Sequence, residues 1–71
     1  MITLDAALLA AHEAMDHQAL ITLYTQAADQ AQDVDAACFY LTHAMVFALE
    51  AGDPRANVLR QRLITQGREI L

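Results

Sequence analysis

The stretch VDAACFYLTHAMVFALEAGDPRA, residues 34–56, decides the fold that we predict for this chain. Its first part, 34–51, carries apolar side chains around nearly the whole circumference of an α-helix. A helix apolar on most faces is packed on more than one side, so this segment is predicted to be the central element. Gly52 follows as a helix-ending glycine, with Asp53 as the next N-cap and Pro54 as the first residue of another helix.

Three further helices are predicted around the central one, because apolar residues recur with the helical period on both sides of it. The first begins at Ile2-Thr3, the second spans 17–31, and the last spans 54–70. Thr3 and Asp16 are the predicted N-caps of the first two helices. The predicted inward-facing residues are Leu4, Ala7, Leu8, Ala11 and Met15 in the first helix, Leu20, Leu23, Tyr24, Ala27, Ala28 and Ala31 in the second, and Ala56, Leu59, Leu63 and Ile70 in the last.

The composition favours the same all-α fold. Hydrophobic residues make up 56% of the chain, with alanine the most frequent of them, whereas there are only two glycines and one proline. Alternating β-branched runs and the turn signals of a sheet are missing from the sequence. With 71 residues the chain is predicted to be one domain, 1–71, and its single cysteine, Cys38, excludes an internal disulfide.

Charge and hydropathy limit the classes of partner. Acidic residues interrupt every apolar run before it reaches the roughly 18 to 20 residues that span a bilayer, and no basic segment opens a signal peptide. We therefore expect a soluble, cytoplasmic protein without a membrane partner. Residues 1–53 carry eight acids and no Lys or Arg, while 54–71 carry four Arg and one Glu. This acidic body predicts no nucleic-acid partner, because it repels phosphate backbones.

The chain also matches itself when it is shifted by 37 residues. Seven of sixteen aligned positions are then identical, four of them alanine. The identical pairs are Leu4 and Leu41, Ala7 and Ala44, Ala11 and Ala48, Glu13 and Glu50, Ala14 and Ala51, Asp16 and Asp53, and Ala19 and Ala56. This match predicts two copies of one helical hairpin, at about 1–33 and 34–71; one long first helix would instead favour a plain compact helical bundle.

These residues make the chain resemble the tetratricopeptide repeat (TPR) family, whose units are helix–turn–helix hairpins of about 34 residues. Leu occupies the place of the leading aromatic in both units, and Met15 stands where the first turn would carry glycine. The resemblance implies four antiparallel helices and a concave surface lined by the first helix of each hairpin. The residues that it places there are Ile2, Asp5, Leu9, His12 and Glu13, then Phe39, Thr42, Val46, Leu49 and Glu50.

The candidates for chemistry have structural explanations. His12 and His17 are five residues apart, whereas two zinc-binding histidines on one helix are four apart, so no metal or other cofactor is predicted. Cys38 and His43 are also five apart and cannot form a nucleophile–base pair on one helix. We interpret Cys38 as a buried thiol and His43 as a partly buried histidine bonded to a neighbour. Asp33 and Asp35 are favoured at a helix start by its dipole.

The sequence therefore predicts a non-catalytic protein–protein interaction module that self-associates as a homo-oligomer, with a different protein as the other possible partner. The predicted partner-binding residues are Leu9, His12, Glu13, Phe39, Thr42, Val46, Leu49 and Glu50. One alternative is a small ligand-binding or enzyme-accessory protein with a pocket around His43, Tyr40 and Cys38. Another is a regulator whose acidic body binds an arginine-rich partner. The remaining alternative is that the apolar residues close into the core of a bundle.

Overall fold

Four α-helices build the computed structural model, which describes residues 3–68. They are α1 Leu4–Ala14, α2 His17–Gln30, α3 Val34–Glu50 and α4 Arg55–Thr65. No strand occurs within residues 3–68, so the prediction of an all-α fold is confirmed. The predicted contributions of Ile2 and Ile70 lie outside the described residues.

Side chains close the N-terminal ends of the first three helices. Thr3 Oγ1 accepts a hydrogen bond from the Ala6 N–H, and Asp16 Oδ1 accepts one from the Ala19 N–H, each at 3.1 Å. Asp33 Oδ1 caps α3 in the same way at 2.8 Å. Each cap satisfies one of the backbone donors that a helix start leaves unpaired. The predicted caps at Thr3 and Asp16 are confirmed, as is the placement of Asp33 at a helix start.

The helices pack in chain order, α1 on α2, α2 on α3 and α3 on α4. Loops of two to four residues join them, which makes consecutive helices antiparallel neighbours. Within the described part of the chain, no Cα atom of α1 comes within 8 Å of α3 or α4. The Cα envelope is correspondingly flat, at 34 × 29 × 13 Å. Since a closed four-helix bundle brings its first and last helices together, this is a row of two successive hairpins.

The third helix supplies the centre of the core, as predicted. The buried residues are Ala11 from α1, Leu20, Ile21, Ala27 and Ala28 from α2, Cys38, Leu41, Ala44, Met45 and Ala48 from α3, and Ala56, Leu59 and Leu63 from α4. Ile21 was not among the predicted inward residues, yet it is fully buried, because α2 is covered by both α1 and α3. Met15 was predicted to face inward but is 77% exposed, because it lies in the turn beyond the end of α1.

The turns of the two hairpins contain equivalent hydrogen bonds, displaced by 37 residues. In the first turn the Asp16 N–H donates to the Ala11 carbonyl at 2.9 Å, and the Met15 N–H donates to the His12 carbonyl at 3.1 Å. In the second, the Asp53 N–H donates to the Ala48 carbonyl at 2.8 Å, and the Gly52 N–H to the Leu49 carbonyl at 3.2 Å. This is the Schellman pattern of helix termination, so the predicted hairpin repeat is present in the geometry. The chain turns sharply after Ala14, and the first helix is not continuous with the second.

Three arginines of the second half pair with acids. Arg55 binds Asp53 through two hydrogen bonds, Nε to Oδ1 at 3.0 Å and Nη2 to Oδ2 at 2.8 Å. Its guanidinium also donates to Gln18 Oε1 at 2.6 Å and to Thr22 Oγ1 at 2.9 Å, which ties the start of α4 to α2. The bonds from Arg55 to the Asp53 side chain hold the pKa of that carboxyl down at about 2.

The other two pairs lie further along α4 and beyond its end. Arg62 Nη2 donates to Asp29 Oδ1 at 2.6 Å, which ties α4 to the last turn of α2. Arg68 donates to Asp35 in the first turn of α3. Arg62 therefore holds the second hairpin against the preceding helix α2, and Arg68 ties the segment after α4 to α3 within the second hairpin.

Candidate functional site

An apolar face of α3 is left uncovered by the other helices. Phe39, Val46 and Leu49 are 58%, 45% and 62% exposed. Thr42 and Glu50 share their side of the helix, since spacings of three, four and seven residues bring positions onto one face. The Thr42 hydroxyl donates to the Cys38 carbonyl at 2.8 Å, so this side chain has its polar group satisfied within its own helix. We call Phe39, Thr42, Val46, Leu49 and Glu50 the α3 face.

The predicted contribution of α1 to the same surface is separated from it. Leu9 is 62% exposed, and His12 and Glu13 are exposed as well. The Cα atoms of α1 and α3 do not approach within 8 Å of one another, so the two groups of residues lie on separate helices that do not pack together. His12 of α1 still contacts α3, because its ring lies 5.8 Å from the Phe47 ring, centroid to centroid. The structure thus brings five predicted residues together on α3, connects His12 to that helix, and leaves Leu9 and Glu13 on α1.

Every aromatic and imidazole ring of the protein belongs to one network beside the α3 face. The contacting pairs, by increasing distance between ring centroids, are Phe39 and His43 at 4.4 Å, Tyr24 and His43 at 5.2 Å, Phe39 and Tyr40 at 5.6 Å, Phe47 with His12 and with His17 at 5.8 Å, His12 and Tyr24 at 5.8 Å, Tyr24 and Phe47 at 5.9 Å, and Tyr24 and Tyr40 at 6.3 Å. The rings come from α1, α2 and α3. They pack the first hairpin onto the second by edge and stacked contacts.

Tyr24 is the centre of this network, since its ring contacts four of the other six. Its hydroxyl oxygen lies 2.9 Å from His12 Nε2, a hydrogen-bonding distance. The helical period predicts Tyr24 on an inward-facing stripe of α2, but it gives no link between Tyr24 and the histidines. One signal was available: all seven rings fall between residues 12 and 47.

His43 takes the role predicted for it, a partly buried histidine bonded to a neighbour. Its Nδ1–H donates to the Phe39 carbonyl one helical turn earlier, at 2.9 Å. Cys38 is buried at 5% exposure, as predicted. Both residues line a cleft of about 700 Å³ between the first half of α3 and the end of α4. The other lining residues are Asp35, Phe39, Thr42, Gly67 and Arg68.

Within residues 3–68, three acidic side chains on α1 and α3 are not neutralised by an arginine, whereas Arg68, which lines the cleft beside Phe39 and Thr42, is paired with Asp35. Asp5, Glu13 and Glu50 are exposed and make no ion pair with any residue that the structure describes. Arg55, Arg62 and Arg68 are held by Asp53, Asp29 and Asp35. We call Asp5, Glu13 and Glu50 the acidic rim.

Two rim residues lie where a helix disfavours negative charge. Glu50 is the last residue of α3, and Glu13 is in the last turn of α1. The partial negative charge of a helix C-terminus makes a carboxylate there unfavourable unless a cation compensates it. The last turn of α3 contains no basic residue. Glu13 and Glu50 therefore place uncompensated negative potential at the C-terminal ends of α1 and α3.

Neither a metal-binding group of side chains nor a membrane-spanning helix is found among residues 3–68. Within 3–68, no three His, Cys, Asp or Glu side chains are grouped closely enough to hold a metal ion. None of the helices in this part of the chain combines the length and the hydropathy required to cross a membrane.

A second apolar surface lies on the outer side of the first hairpin. It is a groove of about 520 Å³ between α1 and α2, lined by Ala6, Ala7, Ala10, Ala11, Ala14, Asp16, Ala19 and Leu23. By the 37-residue shift, Ala6 and Ala10 correspond to His43 and Phe47. Those two rings pack against Tyr24 of the first hairpin, so the groove is the exposed equivalent of a surface that is covered in the second hairpin.

Comparison of the chain with known proteins found no relative. No model of a known protein family matches the chain, and neither the curated proteins nor the solved structures contain a match. The TPR-like character of the two hairpins stays a prediction, supported by their repeated turn geometry.

Proposed function

We propose that this chain is a non-catalytic protein–protein interaction module and that the α3 face is its contact surface. The observation that carries the proposal is the exposure of Phe39, Val46 and Leu49 on one side of the central helix. From Phe39 to Glu50 this face extends over roughly 16 Å of helix. Monomeric proteins rarely leave a contiguous apolar surface of this kind in water unless it binds something.

The chemistry of the neighbouring rings supports a binding role over a catalytic one. His43 Nδ1 donates to the carbonyl of its own helix, and His12 Nε2 is engaged with the Tyr24 hydroxyl. The Cys38 thiol is buried in the core cluster. These two histidine nitrogens and the thiol are engaged in hydrogen bonds or core packing, and each would have to leave that contact before it could act as a base or a nucleophile.

Paired variants of exposed residues test this proposal. The tagged double variant Val46→Glu/Leu49→Glu is compared with wild type and with Val58→Glu, whose valine on α4 is 61% exposed. Proteins retained by the wild type from an extract of its own cell should be lost with the α3 variant and kept with the control. Retention of the same proteins by all three would contradict the α3 face as the contact surface.

Self-association is the alternative use of the same face, and sedimentation equilibrium separates it from binding to another protein. A chain that self-associates through the α3 face has an apparent mass that rises with concentration, and Leu49→Glu abolishes the rise. A chain that binds only other proteins sediments as a monomer throughout. A concentration-dependent mass that Leu49→Glu leaves unchanged would place self-association elsewhere on the molecule.

A second candidate function, binding of a small ligand, is favoured by the cleft beside His43 and Cys38. The mixed lining of aromatic rings, the Thr42 hydroxyl and the ion pair of Asp35 with Arg68 suits a small polar aromatic molecule. A ligand that raises the melting temperature of the wild type, but not of His43→Ala, would support this function. A thermal shift that persists in the variant would exclude the cleft as the site.

A further inference from the structure

We infer that the partner of the α3 face is an amphipathic helix of another protein, with Lys or Arg at the end that meets Glu13 and Glu50. The inference rests on the proposed function and adds the chemistry of the partner.

The acidic rim defines the charge of the partner. Glu13 and Glu50 lie at the C-terminal ends of α1 and α3, and neither has a cationic partner among the described residues. Positions 13 and 50 correspond under the 37-residue shift, so both hairpins carry the same helix-destabilising carboxylate. A cation from a bound protein would compensate both the side-chain charge and the negative helix end.

A second copy of the chain fits this requirement poorly. In a parallel two-fold pairing of α3 faces, each Glu50 would approach the Glu50 of the other copy. In an antiparallel pairing, each Glu50 would approach the Phe39 end of the other face, where Arg68 is already held by Asp35. Like charges placed opposite one another oppose association. Three of the four arginines are already held by Asp53, Asp29 and Asp35 within the same chain. The cation is therefore assigned to a different protein.

The secondary structure of the partner follows from the backbone of this chain. Some extended peptides bind folded domains by adding a strand to a sheet edge, and residues 3–68 contain no strand that could pair with one. The carbonyls and N–H groups along α3 are already used within the helix. A partner helix satisfies its own backbone groups, so it can cover the α3 face without hydrogen bonds from the α3 backbone. Apolar residues spaced three, four and seven apart along one side would contact Phe39, Val46 and Leu49.

The test uses a synthetic amphipathic helical peptide of about 14 residues, with leucines at i, i+4 and i+7 and two arginines at one end. A matched peptide carries glutamates in place of the arginines. Binding of each fluorescent peptide to the full chain is measured by anisotropy at about 50 mM and about 300 mM salt. The protein variants are Leu49→Glu, Glu50→Gln and the control Val58→Glu.

The inference predicts that the arginine peptide binds about tenfold more tightly than the glutamate peptide at low salt, and that the difference shrinks at high salt. Glu50→Gln should weaken the arginine peptide about threefold without affecting the glutamate peptide, because one exposed ion pair is removed. Leu49→Glu should reduce binding at least about tenfold by placing a charge in the apolar contact, and Val58→Glu should have no effect.

Two results would overturn the inference in distinguishable ways. If both peptides bind equally and both are lost with Leu49→Glu, the α3 face is a contact surface but the partner is not cationic. If neither peptide binds, or binding is unaffected by Leu49→Glu, no amphipathic helix is recognised there. In that case the paired-variant capture experiment decides separately whether the proposed function stands.

Discussion

Met15 and Gly52 occupy equivalent positions in the two hairpin turns. Their shared backbone conformation predicts the direction of the stability change on substitution at each position. Both residues have left-handed backbone conformations, with φ of 54° at Met15 and 65° at Gly52. An L-residue in this region is disfavoured by roughly 1–2 kcal/mol, whereas glycine adopts it freely. Met15→Gly should therefore relieve strain in the first turn, and Gly52→Ala should introduce strain in the second.

The size of each effect follows from the local structure. The added freedom of glycine in the unfolded chain offsets roughly 0.5–1 kcal/mol of the strain, so the net change is about 0.5–1 kcal/mol. Met15 is 77% exposed, so deleting its side chain costs little packing. A Cβ placed on Gly52 has no atom within 4 Å, so Gly52→Ala has a conformational cost without a steric one. Met15→Gly should then raise the free energy of unfolding by about as much as Gly52→Ala lowers it.

Urea unfolding measures the changes in free energy and thermal unfolding the changes in melting temperature, both followed by far-ultraviolet circular dichroism. In a domain of this size the melting temperature should rise by roughly 2–8 °C with Met15→Gly and fall by a similar amount with Gly52→Ala. Met15→Ala is the matched control, since it removes the same exposed side chain but keeps the left-handed strain. A stabilisation by Met15→Ala equal to that by Met15→Gly, or no effect of Gly52→Ala, would refute the reasoning.

Three further predictions concern the ring network, the Asp53 ion pair and the acidic rim. Tyr24→Ala should lower the free energy of unfolding by about 2–3 kcal/mol, because four ring contacts are lost. Tyr24→Phe, which loses only the bond to His12, should cost about 0.5–1 kcal/mol in the same denaturant titration. Because the folded-state pKa of Asp53 is lowered to about 2, the stability from its pair with Arg55 should be present at neutral pH and disappear as the pH falls from about 4 to about 2. Melting temperatures across this range should fall more for wild type than for Asp53→Asn, and equal falls would contradict the role of the pair. Glu50→Gln should raise the free energy of unfolding by about 0.3–1 kcal/mol at low salt, while Asp5→Asn, at the favourable end of α1, should lower it by a similar amount. The same sign for both rim substitutions would exclude the helix dipole as the cause.

The helices were predictable because their signals are local. Thr3 and Asp16 cap helices as predicted, and the run of apolar residues in α3 correctly identified the central element. The first turn was less certain in the sequence, because Met15 gives no sign of a left-handed conformation. That conformation is stabilised by the hydrogen bonds of Met15 and Asp16 to the preceding turn of helix. The burial of Ile21 was missed because it depends on α2 being covered from two sides.

The candidate site was predictable only along a single helix. The exposure of Phe39, Val46 and Leu49 follows from their shared register on α3, which the repeat pattern identified. The distance of these residues from α1 depends on the angle between successive hairpins. No local pattern in the sequence predicts that angle. The ring network was missed for the same reason, because Tyr24 meets His12 and His43 only after three helices have packed.

A photo-cross-linking amino acid placed at position 49, with position 58 as the matched control, tests the central claim most directly. The two native side chains are 62% and 61% exposed, so they are equally accessible to reagents that do not bind specifically. After illumination of cells that express each protein, position 49 should form a discrete protein adduct and position 58 should not. Equal adducts from both positions, or none from position 49, would contradict the claim that the α3 face binds a protein partner.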